Sequence, residues 1–281
     1  MDMAAKIGAL GQSLGPAVLQ SVRDLFAAEQ ERLAAQAPAS LTGTPYGPDE
    51  RHRLDLYATQ GATSAPILVF LHGGGFLKGD KGGAANWPNA NVGRMAAQSG
   101  FVGIVPNYRL APDHQWPAGP EDVASVIAWT KANAVQHGGD PNRIVLMGTS
   151  AGAVHVAGYM KLHGTADIRS VILLSGLYGY TPLDDRDTHY YGDSVFYPER
   201  MPLEAVASTT LPLFIACAQH DPARFQQEFL GLMQDRLERH GTMPRAMIAS
   251  GHNHYSLPMH LGTSDRRLAD EICAFIKDTT N

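Results

Sequence analysis

Six short and almost uninterrupted apolar runs constrain this chain more than any other feature: Ile67–Leu71, Val102–Val105, Ile144–Met147, Val171–Leu174, Leu213–Cys217 and Ala246–Ala249. A run of four or five residues without polar alternation suits a strand covered on both faces, and each run ends in glycine, proline or a polar cluster. Helical spacing recurs around them, at Ala90–Gln98, Pro120–Ala134, Ala151–Leu162, Phe225–Arg239 and Arg266–Lys277. Buried strands alternating with helices of this length predict right-handed crossovers, hence an α/β protein with a mostly parallel central sheet flanked by helices. Leu54 and Leu56, alternating with Asp55 and Tyr57, predict one earlier strand. The 281 residues, 44% hydrophobic and 17% charged, suffice for one large domain of that kind.

Residues 1–36 read as helical, with Val18, Leu19, Val22, Leu25, Phe26 and Leu33 spaced by three and four; Gly11, Gly15 and Pro16 divide the arm in two. The expected organisation is an N-terminal helical arm over 1–45 and a main domain over 46–281. Within it, residues 176–210, rich in Tyr, Asp and Pro, form a cap insertion above the strand ends. The net charge of −5 comes from scattered acids, and no block of five or six Lys and Arg offers a footprint for nucleic acid. No stretch of about 18 apolar residues offers a membrane span, and the N-terminus lacks a compact apolar core ahead of a cleavage site. The expectation is a soluble cytoplasmic protein. Cys217 and Cys273 read as small buried apolar residues, with a disulfide between them left open. The last strand (Ala246–Ala249) and last helix (Arg266–Lys277) are the surfaces a homodimer would use.

The run Ile144–Met147 leads straight into Gly148-Thr149-Ser150-Ala151-Gly152 and then a helical pattern. A strand–turn–helix of this kind holds a serine hydroxyl out above the sheet at a helix N-terminus, which suits a nucleophile. His72-Gly73-Gly74-Gly75-Phe76 follows a different buried run. Consecutive glycines let backbone N–H groups approach a developing oxyanion. The expected donors are the N–H groups of Gly74, Gly75 and Ala151, with Gly73 enabling the turn. Asp221, after Leu213–Cys217, and His254, after Ala246–Ala249, complete the order Ser…Asp…His at strand ends. His254 would take the serine proton and Asp221 would fix its tautomer. His252 is a rival base; Asp184, Asp185 and Asp193 read as solvated or structural. The pair His252 and His254 could also hold a metal, but zinc needs three or four ligands and no second cluster accompanies them. No metal or cofactor is expected in the reaction.

These residues carry a resemblance. His72–Phe76, Asn107–Pro112, the turn at Ser150, Asp221-Pro222 and Gly251–His254 resemble the hormone-sensitive-lipase-like branch of the α/β-hydrolase carboxylesterases, over about residues 50–281. The resemblance implies an α/β-hydrolase fold with the arm over 1–45 as its helical cap segment, and an acyl-enzyme on Ser150, formed from a small ester. It gives Asp221 as acid, His254 as base, and Gly74 and Gly75 as oxyanion donors. Thr149 and Ala153 depart from the branch's usual residues, and Gly148–Ala153, Ser175–Tyr178 and Gly79–Lys81 are similar to kynurenine-formamidase-like hydrolases. Formamide or amide cleavage on the same triad is therefore the second reading, and a non-catalytic small-molecule receptor a third. Phe76, beside the oxyanion glycines, is the expected substrate-binding residue. Trp87, Trp116, Tyr178, Tyr190, Tyr191, Phe196 and Tyr197 are further wall residues to weigh, and Arg109 and Asp122 are expected to pair structurally.

Overall fold

The computed structural model describes residues 2–281. Its sheet has eight strands: β1 (Leu41–Pro45), β2 (Arg53–Tyr57), β3 (Ala65–Leu71), β4 (Val102–Pro106), β5 (Gly139–Thr149), β6 (Ser170–Leu174), β7 (Leu213–His220) and β8 (Arg245–Asn253). They lie in the order β1-β2-β4-β3-β5-β6-β7-β8. β1 and β2 run antiparallel to their neighbours, while β4 through β8 are joined by parallel pairings. All six apolar runs are strands of this sheet. β1 carries no such run: Thr42, Gly43, Thr44 and Pro45 give it a half-exposed edge without a hydrophobic signature.

Helices α1 (Met3–Ala9), α2 (Pro16–Gln36), α3 (Ala90–Gln98), α4 (Ala118–Asn133) and α5 (Ala151–His163) are followed by α6 (Asp185–Tyr191), α7 (Tyr197–Arg200) and α8 (Leu203–Ser208). After β7 and β8 come α9 (Ala223–His240), α10 (Ser256–Met259) and α11 (Arg267–Thr280). Strand alternation sorts the core into two layers. Ile67, Val69 and Leu71 of β3 face a cluster with α4, α5 and α9, whereas Leu68 and Phe70 face α3 and α11. Cys217 belongs to the first layer and Cys273 to the second, so the sheet separates them and both are free thiols. Burial pushes the Cys217 thiol up to about 12, which keeps it inert.

The arm divides where its glycines predicted. Gly15 caps α2, Pro16 opens it, and Asp2 caps α1 by accepting from Ala5 N. Ile7, Val22 and Phe26 of the arm bury against Trp87 and Met259. Gln30, fully buried, donates to the carbonyls of Met259 and Leu261. The insertion holds three short helices that no periodicity announced. Asp184 caps α6 in a reciprocal box with Asp187, and Asp193 accepts from Val195 N in the turn that follows, so both acids have the structural role expected of them. Among the described residues no helix is long and apolar enough to cross a membrane.

Candidate active site

Ser150 links β5 directly to α5 with φ 53°, a left-handed conformation that is strained for a residue with a Cβ. The flanking glycines are there for space. A Cβ on Gly148 would lie 2.4 Å from the Gly152 backbone, and one on Gly152 would lie 2.1 Å from the Leu71 carbonyl. Ser150 N donates to Leu174 O at 2.9 Å, and Ala153 N and Val154 N donate back to Ser150 O. The serine is thus fixed between β6 and the first turn of α5.

The glycine loop passes directly beside it: a Cβ on Gly73 would be 3.2 Å from that of Ser150. Gly74 (φ 141°) could carry no side chain, since its Cβ would sit 1.7 Å from Lys78 O. Among the described residues, the N–H groups of Gly74, Gly75 and Ala151 take no part in backbone pairing. The backbone leaves these three donors free, the property an oxyanion hole would need.

Two further motifs brace this loop. Tyr108 stacks on the His72 ring at 4.3 Å and donates its hydroxyl to His72 O at 2.7 Å. Asn107 Nδ2 donates to Asp80 Oδ2, and Lys81 N donates to Asn107 Oδ1. Arg51 closes the frame by donating to the carbonyls of Tyr108 and Gly79. His72 itself is neutral: burial lowers its pKa to about 4, and Nδ1 donates to Gly73 O at 2.8 Å. Arg109 pairs with Asp122 as expected, through Nε and Nη2, and His52 Nε2 adds a contact to the same carboxylate at 3.0 Å.

Asp221 is fully buried at the end of β7, and its Oδ1 meets His254 Nδ1 at 2.7 Å. Its other oxygen accepts from Ala218 N and from Ser175 Oγ, each at 2.6 Å. Ser175, at φ 45° at the end of β6, is a positioning residue that the motifs do not reveal as a partner of Asp221. The signal available was its place after the run Val171–Leu174, matching that of Ser150 after its own run. His254 lies beyond the end of β8, 7% exposed, with the Phe225 ring 4.3 Å away. His252 turns elsewhere, to Ser256 and Asp265, so the H-x-H pair serves two different environments.

Phe76 is buried, at φ 67°, and stacks on Tyr190 at 4.2 Å with the rings 5° from parallel. Trp116, Tyr191 and Tyr197 join this cluster. Of the other candidate wall residues, Trp87 packs with the N-terminal arm, Tyr178 lies in the main core, and Phe196 is exposed beneath Arg200.

A family model described as alpha/beta hydrolase fold matches residues 68–253. The chain is 34% identical over 168 residues to esterase LipC of Mycobacterium tuberculosis, covering 56% of this chain and 40% of that protein. To carboxylesterase NlhH of the same organism it is 32% identical over 188 residues, covering 57% of each. The matches thus span about half the length of these curated relatives. The solved hyperthermophilic esterase from the archaeon Pyrobaculum calidifontis superposes with TM-score 0.69 at 22% identity, covering 98% of this chain and 96% of that one. The carboxylesterase EstE1, cloned from a metagenomic library, superposes with TM-score 0.67 at 21% identity, covering 94% and 98%. The sheet order, the motifs and the family match agree: the chain belongs to the α/β-hydrolase-fold family, on the hormone-sensitive-lipase-like branch to which its motifs pointed.

Proposed function

We propose that this protein is a serine carboxylesterase acting on small or short-acyl esters. One observation carries the reading: the buried Asp221–His254 pair stands at the same sheet edge as a strained Ser150 that is flanked by unpaired N–H groups. In this reading Ser150 Oγ attacks the ester carbonyl while His254 accepts its proton. The N–H groups of Gly74, Gly75 and Ala151 stabilise the oxyanion, and His254 returns the proton to the departing alcohol. Water then repeats the sequence and releases the acid. Asp221 holds His254 in the tautomer with Nδ1–H and stabilises the imidazolium.

The relatives named as esterases favour an alcohol as leaving group over the aryl amine of a formamide. The helices within residues 1–45 and the insertion at 176–210 serve as the cap. Two contacts support that role: Gly15 N donates to the hydroxyl of Tyr255, next to His254, and Tyr190 stacks on Phe76 beside the oxyanion glycines. Phe76 and its aromatic partners then form one wall of the acyl site. Two free cysteines on opposite sheet faces fit a reducing, cytoplasmic setting, and the outer edge of β8 is the surface for a homodimer.

The test is hydrolysis of p-nitrophenyl acetate beside an N-formyl arylamine. Ester turnover should dominate, and Ser150→Ala should lower kcat/KM by about 10³-fold or more while a fluorophosphonate probe no longer labels the protein. Near-full ester turnover by Ser150→Ala would refute the reading.

A further inference from the structure

Asp265, His252 and Ser256 form a second carboxylate–imidazole–hydroxyl series behind the turn that carries His254. Arg267 holds Asp265 from outside, with Nε 2.9 Å from Oδ1 and Nη2 2.6 Å from Oδ2. That pairing keeps the carboxyl ionised, well below the usual carboxylate range. His252 Nε2 lies 3.2 Å from Asp265 Oδ2, and His252 Nδ1 lies 3.1 Å from Ser256 Oγ. His252 is 4% exposed and Ser256 0%, so these contacts are shielded from bulk water.

Proton positions follow from the network. An ionised Asp265 can only accept, so His252 carries a proton on Nε2, and burial keeps the ring neutral by lowering its pKa. The other neutral tautomer would set the Nε2 lone pair against the carboxylate. Nδ1 is then an acceptor. Ser256 Oγ accepts from Asn253 N at 2.8 Å, and its one proton has two acceptors in reach, His252 Nδ1 and Asn253 O, the latter at 3.2 Å. The bonds thus run in one direction, from Asn253 N to Ser256, on to His252, and on to Asp265. His260 fixes the plane of the ring: it stacks on His252 with centroids 3.8 Å apart, and its own Nδ1 donates to Ser256 O at 2.8 Å.

The series ends on the turn itself. Asn253 N donates to Ser256 Oγ and Ser256 N donates to Asn253 Oδ1 at 3.0 Å, and His254 lies between these two residues. Its ring must meet Asp221 Oδ1, at 2.7 Å, from that position. On the esterase reading, which this role presupposes, we propose that His252 is a positioning residue for the base: anchored in β8 and on Asp265, it orients the Ser256 hydroxyl that closes the turn and so sets where the His254 ring stands over Asp221. The order of side chains repeats that of Asp221, His254 and Ser150. Ser256, however, is buried and directs its proton to the His252 ring, so the series fixes geometry and performs no chemistry.

Replacements at His252 separate its two bonds. Glutamine keeps an N–H at the place of Nε2, for Asp265, and removes the acceptor for Ser256. Asparagine puts Oδ1 at the place of Nδ1 and keeps that acceptor. With p-nitrophenyl acetate, His252→Gln should lower kcat by about 10- to 100-fold with KM nearly unchanged, the scale of a small misplacement of a catalytic group. A ring held less well by Asp221 is harder to protonate, so the acid limb of the kcat/KM profile should move to lower pH. His252→Asn should recover most of kcat and return the limb. If His252→Gln does not fold, Asp265→Ala, at a partly exposed carboxylate, releases the ring from its anchor and should move kcat and the limb in the same direction. Wild-type kcat and an unmoved limb in either folded variant overturn the proposal. So does a loss of kcat that leaves the limb in place and that His252→Asn does not recover, which is what a general disturbance of structure would give. Ester turnover that survives Ser150→Ala would remove the esterase reading, a failure distinct from turnover that needs Ser150 yet ignores His252.

Discussion

Glu228→Gln is a substitution of almost unchanged volume whose cost can be worked from four hydrogen bonds. Glu228, on α9, is fully buried. Its Oε2 accepts from Tyr178 N at 2.6 Å and Gly179 N at 3.1 Å, and its Oε1 accepts from Thr181 N at 2.8 Å and from the Thr181 hydroxyl. All four donors belong to the segment that begins the insertion. A glutamine can satisfy one side only, because its amide N is a donor. The cheaper orientation turns that NH2 toward Thr181, whose hydroxyl can rotate to accept. Thr181 N is then orphaned, at about 1–3 kcal/mol, and the bonds to Tyr178 and Gly179 lose their charge assistance, about 1 kcal/mol each. Relief from burying a charge offsets part of this. The net expectation is a loss of about 2–4 kcal/mol, or roughly 3–7 °C in Tm for a domain of this size.

Urea and thermal unfolding of the two proteins measure that loss directly. Limited proteolysis within residues 182–200 should also accelerate, since the insertion loses its anchor to α9. Ester turnover should drop through KM more than kcat if the insertion covers the acyl site. A variant within about 0.5 kcal/mol of wild type, with unchanged proteolysis, would show that the carboxylate does not hold the segment, and the reasoning would fail.

Two other outcomes are expected. Ser175→Ala removes one of the two hydrogen bonds on Asp221 Oδ2; a bond to a charged group is worth about 1.5–3 kcal/mol, so kcat/KM should fall by about 10-fold or more with KM nearly unchanged. A folded Ser175→Ala with wild-type kcat would remove Ser175 from the positioning of the acid. Acid should also destabilise the fold through His72 and His155, whose pKa values burial lowers to about 4 and about 3. Above the unfolded value of about 6.5 they contribute no pH dependence. Below it the unfolded chain binds protons that the folded chain refuses, so stability falls until the pH reaches those lowered values, by about 3 kcal/mol for the pair between pH 6.5 and 5. Urea midpoints that stay flat over that interval would contradict the burial of the two rings in neutral form.

Much of the fold was legible because it depends on local pattern. A strand buried on both faces must be apolar throughout, so β3 to β7 announce themselves, and α3 has the bounds its spacing predicts. β8 has an apolar run too, but as the edge strand it is half exposed, with Ile248 57% exposed, and is not covered on both faces as its run predicted. What escaped lacks such a pattern. β1 is held by pairing to β2 and carries Gly43 and Pro45 in place of an apolar run. α6, α7 and α8 have seven, four and six residues, too few turns for a period, and tertiary contacts make them helical. The candidate site divides in the same way. Ser150, the glycine loop, Asp221 and His254 each follow a readable strand. The place of Ser175 after its run was readable, but its contact with Asp221 depends on β6 lying beside β7. The same limit applies to Cys217 and Cys273, whose separation is a fact of sheet layers rather than of spacing.

Sheet order also explains why His254 and not His252 meets the acid. Ser150, Ser175, Asp221 and His254 follow β5, β6, β7 and β8, four consecutive neighbours in the sheet. Strands about 4.8 Å apart put the ends of β5 and β8 roughly 14 Å from each other, too far for a side chain still within β8 to serve a serine after β5. His252 is still within β8, paired outward to Asp265. His254 comes after the strand has ended at Asn253, where Ser256 N donates to Asn253 Oδ1 and Asn253 N donates to Ser256 Oγ. This reciprocal pair turns the chain sharply and carries the His254 ring back over β7, where Asp221 holds it at 2.7 Å. A single residue, Asn253, separates the histidines, and the turn it begins decides which of them meets the acid.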